Sequence, residues 1–394
     1  MRIEPLAVPA GAAVLDLLPR LRLALEGGHP IAPHAVGSPP PALSPSVDGD
    51  LPEDLGVVVG TSGSTGTPKR AMLGTRALQA SADATHACLS GPGQWLLTLP
   101  AHHIAGLQVV LRSIAADTTP HVMDLANGFT PETFATTVDA MPVTDLPTYV
   151  SIVPTQLTRL LDDEASTQRL ARFAAVLIGG AATHPDLLTR AASAGVHAVT
   201  TYGMSETAGG CVYDSIPLDG VDVLLDGDGR IHLAGATLAH GYFGEPALTT
   251  AAFVPSPPGV GVRSATMFRT DDIGQVDDEG RLHVDGRIDD LINTGGLKVA
   301  PRLVEEAVAR IDGISEAVAV GVPDPEWGET IALALVVAPG HAAPTVSRLR
   351  DQLRGILADH ALPRAVRKVP AIPLRGPGKP DRAAVRALFD TMGE

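Results

Sequence analysis

Lysine is scarce in this 394-residue chain: four residues, at 69, 298, 368 and 379, against 25 arginines. Two of them stand in glycine-studded loops far apart, Thr61-Ser62-Gly63-Ser64-Thr65-Gly66-Thr67-Pro68-Lys69 and Gly376-Pro377-Gly378-Lys379. A compact ammonium meets phosphate oxygens or a small reacting centre as a point charge, where a guanidinium acts as a planar fork. The first loop adds backbone N–H groups and the hydroxyls of Thr61, Ser62, Ser64 and Thr65, the composition of a phosphate cradle. It is not the G-x-x-x-x-G-K-[ST] phosphate loop, because Lys69 follows Pro68 and Arg70 stands where a magnesium-binding hydroxyl belongs.

Further segments carry chemistry. Tyr202-Gly203-Met204-Ser205-Glu206-Thr207 offers an aromatic face for a base and a carboxylate for Mg²⁺. In Gly179-Gly180-Ala181 the two glycines let backbone approach a flat base. Arg269-Thr270-Asp271-Asp272, Gly286-Arg287-Ile288-Asp289-Asp290 and Gly295-Gly296-Leu297-Lys298 cluster charge and turn residues in the last third of the chain. Cys88 and Cys211 lie far apart in no metal-like spacing, so a disulfide framework or a cysteine zinc site is not expected.

These residues need elements to hold them. A strand at 55–59 runs into the first loop, and helical spacing follows at 75–89. Strands are predicted at 94–99, 120–125, 149–153, 173–178 and 196–201, and helices at 104–115, 131–140, 155–161 and 185–194. This alternation implies an α/β fold with mainly parallel sheet. Residues 28–56 read as an irregular lead-in rich in Pro, Gly and Ser. After about Asp214 the pattern turns β-rich, with hairpin signals at Asp226-Gly227-Asp228-Gly229 and Asp277-Asp278-Glu279-Gly280. From Arg287 helices at 301–311, 346–358 and 382–389 and strands at 316–322 and 330–337 suggest a small α+β domain.

Length allows two or three domains. Hydrophobic content of 45% with 19% charged residues reads as globular and soluble. A net charge of -15 argues against nucleic acid or an anionic membrane as a main partner. No apolar run approaches the ~20 residues of a membrane span, and no signal segment opens the chain, so a cytoplasmic protein is expected.

The loop Thr61–Lys69 resembles the signature loop of the adenylate-forming superfamily: acyl- and aryl-CoA ligases, luciferases and peptide-synthetase adenylation domains. Four further segments support it in order, so the resemblance spans roughly 55–382. It implies a large N-terminal ATP- and acid-binding domain (1–286, β-rich from about 215), a hinge at 287–289 and a mobile C-terminal domain (290–394). It implies ATP contacts from Thr61, Ser62, Gly63, Ser64, Thr65, Gly66, Thr67 and Lys69. Others would come from Gly179, Gly180, Ala181, Thr201, Tyr202, Gly203, Met204 and Ser205. Tyr202 would lie at the adenine and Glu206 would hold Mg²⁺. Asp272 would bind the ribose, despite Asp271 standing where glycine is usual. Arg287 would meet phosphate or ribose, and Asp289 would be the hinge residue. Lys379 would bridge the acid and the α-phosphate, with Lys69 in the phosphate loop. Gly296 and Lys298 would lie on the thiol side. The substrates implied are a small carboxylic acid, ATP and CoA, and a homodimer is compatible with the family.

Within the superfamily, the trimmed N-terminal part and the segments Leu99-Pro100-Ala101-His102-His103-Ile104-Ala105-Gly106-Leu107 and Ser151-Ile152-Val153-Pro154-Thr155-Gln156-Leu157-Thr158-Arg159 look most like the 2-succinylbenzoate–CoA ligases of menaquinone synthesis. That places His103, Ser151 and Arg159 around the acid, with Arg159 the cation for a spectator carboxylate. The alternatives are another aryl or acyl acid, or a carrier-protein phosphopantetheine as acceptor.

Overall fold

A computed structural model describes residues 2–43, 51–61, 69–257, 264–374 and 380–390. Ser62–Thr67 of the first loop and Lys379 therefore lie outside the described residues.

The sequence alternation resolves into two sheets. In a four-stranded sheet Glu4–Val8, Ile31–Ala35 and Leu55–Gly60 run parallel and Arg70–Gly74 returns antiparallel. A seven-stranded sheet has the order Ile216–Pro217, Gly209–Tyr213, Ala198–Met204, Ala175–Ile178, Thr148–Ile152, Gln94–Leu97, His121–Val122. Its last five strands are parallel, and the first two are an antiparallel extension. The near-continuous apolar runs Val57-Val58-Val59 and Val176-Leu177-Ile178 suit strands buried on both faces. Phe134, Leu157, Leu160, Leu170 and Leu187 bring helices Pro131–Asp139, Pro154–Leu161, Glu164–Leu170 and Pro185–Ser193 onto the larger sheet. Thr130 caps the first of these, accepting from the Thr133 amide with proline next in line.

Both predicted hairpins form: Val221–Leu225 with Arg230–Gly235, and Thr266–Val276 with Leu282–Arg287. Three expectations are corrected. The lead-in 28–56 contains the strand Ile31–Ala35, the strand at 120–125 shrinks to His121–Val122, and the helix from 346 stops at Leu353. Gly355, at φ +82°, follows that helix end at once. Arg269–Asp272, where the resemblance implies a ribose-binding segment, lies within the continuous strand Thr266–Val276.

The chain divides into two compact units. The first is Met1–Leu224, His232–Thr270 and Asp278–Leu282; the second is Leu225–Ile231, Asp271–Asp277 and His283–Glu394. In the second unit, Gly328–Val337 pairs antiparallel with Ile314–Asp324 and parallel with Ala365–Lys368. Alternation sorts its faces. Leu333 and Leu335 pack with Val304 and Leu349 of helices Pro301–Ala309 and Val346–Leu353, whereas Ala332 and Ala334 pack with Val385 of helix Arg382–Ala387. No helix among the described residues is long and apolar enough to cross a membrane.

Candidate active site

The first glycine loop leaves the strand Leu55–Gly60 and returns as Arg70–Gly74. Its neck is closed by the Thr61 amide donating to the Lys69 carbonyl at 2.8 Å. The strand Ala198–Met204 ends beside this neck, where the Ser205 hydroxyl donates to the Gly60 carbonyl at 3.3 Å. Glu206 follows in a short 3-10 turn and is only 7% exposed. A carboxylate taken from water needs hydrogen bonds or a cation to offset its desolvation. The Tyr242 hydroxyl supplies one hydrogen bond, donating to Glu206 Oε1 at 2.8 Å. Lys69 Nζ lies 5.3 Å from the centroid of the same Tyr242 ring.

The turn after Glu206 is held from below. Ala208 adopts the left-handed conformation, φ 52°, and its carbonyl accepts from Ser81 Oγ at 3.0 Å and from Gln108 Nε2. The Thr207 hydroxyl donates to the Gly209 carbonyl at 2.7 Å and accepts from the Met204 amide at 3.0 Å. Cys211 lies behind this turn, and burial pushes its thiol up to about 12, so it stays protonated.

Gly179 and Gly180 close the neighbouring strand Ala175–Ile178. A β-carbon on Gly179 would stand 2.3 Å from Thr201 Oγ1, so only glycine lets this backbone lie flat beside the strand that leads to Tyr202. The Thr201 hydroxyl donates to the Ile178 carbonyl at 3.3 Å. Gly179, Gly180, Ala181, Thr201, Tyr202, Gly203, Met204 and Ser205 thus come together at adjacent strand ends. Those are carboxyl ends of parallel strands, the edge of open α/β sheets at which ligands bind.

Ser151 ends a third strand of the same sheet and is buried, with its carbonyl accepting from Thr98 Oγ1 at 2.6 Å. Gln156 knits this corner, accepting from the Val153 amide at 2.9 Å and donating to the Thr98 carbonyl at 3.3 Å. His103 precedes helix Ile104–Ala115 at an exposed position, its ring centroid 4.3 Å from that of His102. Burial first, then the charges of His103 and His34, lower the His102 imidazole to about 4. Arg159 is exposed on the last turn of its helix and donates to the Phe129 carbonyl at 3.4 Å.

The remaining candidates belong to the second unit. Arg287 lies among three carboxylates, 3.5 Å from Asp271, 4.0 Å from Asp272 and 3.3 Å from Asp289. Burial alone would lower its guanidinium, but these carboxylates hold it above the ordinary value. Gly296 and Lys298 lie on the tight antiparallel pair Ile292–Thr294 and Leu297–Val299. Lys298 lines a cleft of about 330 Å³ with Leu303, Arg310, Ile356 and His360.

Mg²⁺ takes oxygen ligands and is usually held by one or two carboxylates together with substrate phosphates. Among the described residues no group of three or more His, Cys, Asp or Glu could cage a metal. A buried, hydrogen-bonded Glu206 beside the neck of the first loop fits the shared arrangement.

The sequence reading passed over Tyr242, Ser81 and Gln108. For Tyr242 a signal was present: tyrosine is as scarce as lysine, with four of each, and this one sits in Gly241-Tyr242-Phe243-Gly244. Ser81 and Gln108 had none, since each reads as an ordinary helix residue.

The profile of the AMP-binding enzyme family matches residues 13–243, and that of the AMP-binding enzyme C-terminal domain matches 303–379. The chain belongs to the AMP-binding enzyme family. It is 41% identical over 98% of both chains to the probable 2-succinylbenzoate–CoA ligase of Mycobacterium tuberculosis. It is 28% identical to the 2-succinylbenzoate–CoA ligase of Staphylococcus aureus, over 84% of this chain and 66% of that one. The fold also superposes on o-succinylbenzoate CoA synthetase of Bacillus subtilis in complex with its acyl-adenylate intermediate. There the TM-score is 0.73 at 20% identity, over 98% of this chain and 88% of that one.

Proposed function

We propose that the chain is an AMP-forming acid–thiol ligase that converts 2-succinylbenzoate, ATP and CoA into 2-succinylbenzoyl-CoA, AMP and pyrophosphate, a step of menaquinone biosynthesis. The observation that carries this reading is the 41% identity to a probable 2-succinylbenzoate–CoA ligase over 98% of both chains. In the first half-reaction a carboxylate oxygen attacks the α-phosphorus of ATP. An acyl–O–P bond forms, the bond to the β-phosphate bridging oxygen breaks, and pyrophosphate leaves. In the second, the CoA sulfur attacks the acyl carbonyl, its proton goes to solvent, and AMP departs with the carboxylate oxygen. Both transition states gather negative charge on oxygen, so catalysis is mostly placement of cations and donors.

The residues divide this work. The loop Thr61–Lys69 and the strand ends at Gly179–Ala181 and Thr201–Ser205 bind ATP, with Tyr202 stacked on the base. Glu206 orients Mg²⁺, which when bound neutralises phosphate charge. Lys379 serves adenylation by meeting both the acid and the α-phosphate, while Asp272 and Arg287 act on ribose and phosphate. Ser151, His103 and Arg159 define the acid side, and Gly296 and Lys298 the thiol side. Asp289 is the hinge about which the C-terminal domain exchanges its two roles. The net charge of -15 supports a reading without nucleic-acid or anionic-membrane partners, and two widely spaced cysteines suit a reducing cytosol. The reading allows a homodimer, which sedimentation velocity tests directly.

The deciding experiment is a carboxylic-acid panel with ATP and CoA, followed by mass spectrometry of the CoA product. Acid-dependent pyrophosphate release with 2-succinylbenzoyl-CoA as product is expected. ADP as product would remove the adenylation reading, and preference for a monocarboxylate would remove the substrate.

A further inference from the structure

One short segment, Ala239–Phe243, is bonded to both phosphate-side elements of the first unit. His240 and Phe243 donate their amides to the Met72 and Arg70 carbonyls at 2.8 Å each, and the Met72 amide donates back to the Gly241 carbonyl at 2.9 Å. The segment is thereby zipped to the strand that begins one residue after Lys69. The Ala239 amide donates to the Glu206 carbonyl at 2.8 Å, and the Tyr242 hydroxyl donates to the Glu206 carboxylate. Glu206 is thus gripped at main chain and side chain by the same five residues. Gly241 makes this possible: at φ +139° its α-carbon faces Thr249, and a β-carbon there would stand 2.3 Å from that side chain. The Tyr242 ring, 4% exposed, is fixed edge-on against Phe253 at 5.7 Å.

A hydrogen bond to one carboxylate oxygen restrains rotation of the whole group. Ligating carboxylates are commonly held by such outer partners. The π face of the same ring, within the ~6 Å at which a cation is attracted, holds the Lys69 ammonium. We propose that Tyr242 is a positioning residue for the adenylation half-reaction: its hydroxyl aims Glu206 at the metal of Mg·ATP, and its ring holds Lys69 in register with the same phosphates. This rests on the reading that Glu206 is the Mg²⁺ carboxylate, and it assigns Tyr242 a part which that reading leaves out.

The test uses the full chain with Mn²⁺ in place of Mg²⁺ and α,β-methylene-ATP as a non-reacting nucleotide, with free Mn²⁺ followed by electron paramagnetic resonance. Tyr242→Phe keeps the ring and loses the hydroxyl. It is expected to weaken Mn²⁺ binding to the enzyme–nucleotide complex about tenfold. The Mg²⁺ needed for half-maximal acid-dependent pyrophosphate release should rise by the same factor. The KM for the acid and thioester formation from supplied acyl-adenylate should stay at wild-type values. Tyr242→Leu, which also removes the ring, should add a rise in the KM for ATP at saturating Mg²⁺. Glu206→Gln separates the two layers. If it weakens Mn²⁺ binding while Tyr242→Phe does not, the role of Tyr242 is overturned and the metal assignment stands. If Glu206→Gln binds Mn²⁺ as wild type does, the metal assignment itself falls. Equal loss of both half-reactions in Tyr242→Phe would mark a merely structural tyrosine and overturn the proposal.

Discussion

At the scale of single residues, electrostatics makes two sharp expectations. Arg159 is exposed and, among the described residues, donates to a backbone carbonyl at 3.4 Å, a weak tether that lets its guanidinium turn toward a second substrate carboxylate. A charge-assisted pair of this kind is worth about 1.5–3 kcal/mol when desolvated, and less at an exposed position. Arg159→Ala is therefore expected to raise the KM for 2-succinylbenzoate about tenfold, with the KM for ATP unchanged; steady-state kinetics with both substrates varied decides it. His102 gives a pH dependence. Its imidazole is lowered from 6.5 to about 4 by burial and by its histidine neighbours. Between those values the unfolded chain binds a proton that the folded chain refuses. The contribution of His102 is thus full above pH 6.5 and is lost as pH falls toward 4. Denaturant midpoints measured through this window should fall less steeply for His102→Gln than for the wild type.

At the scale of elements, the helix Arg382–Ala387 follows directly on the loop that carries Lys379. Arg382 anchors it. The guanidinium donates to Glu305 at 2.6 Å and to the Ala319 carbonyl at 2.7 Å, and it lies 3.2 Å from Asp290, the residue after the expected hinge. Removing one partner of a largely buried ion network leaves the other charges uncompensated, at a cost of about 3 kcal/mol. Arg382→Met should lower the melting temperature markedly, with partial recovery in Arg382→Lys. Elements of this kind were legible where pattern and chemistry agree. The helix Thr75–Cys88 and the strand Leu55–Gly60 follow from periodicity and β-branched content. Ile31–Ala35 was not legible because Pro33 and its flanking prolines argue for a loop. The strand survives because its pairing with Leu55–Gly60 is made at Ile31, so Pro33 has no ladder amide to supply on that side. The ribose segment misled in the opposite way. Charged and turn-favouring residues cluster at Arg269–Asp272, yet the strand runs on through them from Thr266 to Val276. In the site, glycine, lysine and carboxylate announced themselves, whereas the scarcity of tyrosine marks Tyr242 but not its contact with Glu206, 36 positions away.

At the scale of the whole molecule, two units with separate cores suit a reaction in two halves. If Asp289 is the hinge, the two half-reactions should come apart under mutation. Lys379→Ala is expected to abolish acid-dependent pyrophosphate release yet spare CoA thioester formation from supplied acyl-adenylate. Asp289→Pro, which restricts backbone rotation at that point, should leave one half-reaction near wild-type rate and suppress the other. Single-turnover assays of each half, run separately, are the measurement; equal loss of both in either variant would contradict the division of labour.

The zipper between Arg70–Met72 and Ala239–Phe243 also bears on biosynthesis. The phosphate loop leaves the ribosome early, but the backbone partners that fix its return strand and grip Glu206 are made much later. Contacts so distant along the chain form slowly and only after the intervening sheet exists. A nascent chain stalled before Ala239 carries the loop without the clamp and should not retain a nucleotide analogue, whereas one stalled after the whole first unit has emerged should. Timing of translation, rather than the loop itself, then decides when the polypeptide first becomes able to sequester ATP.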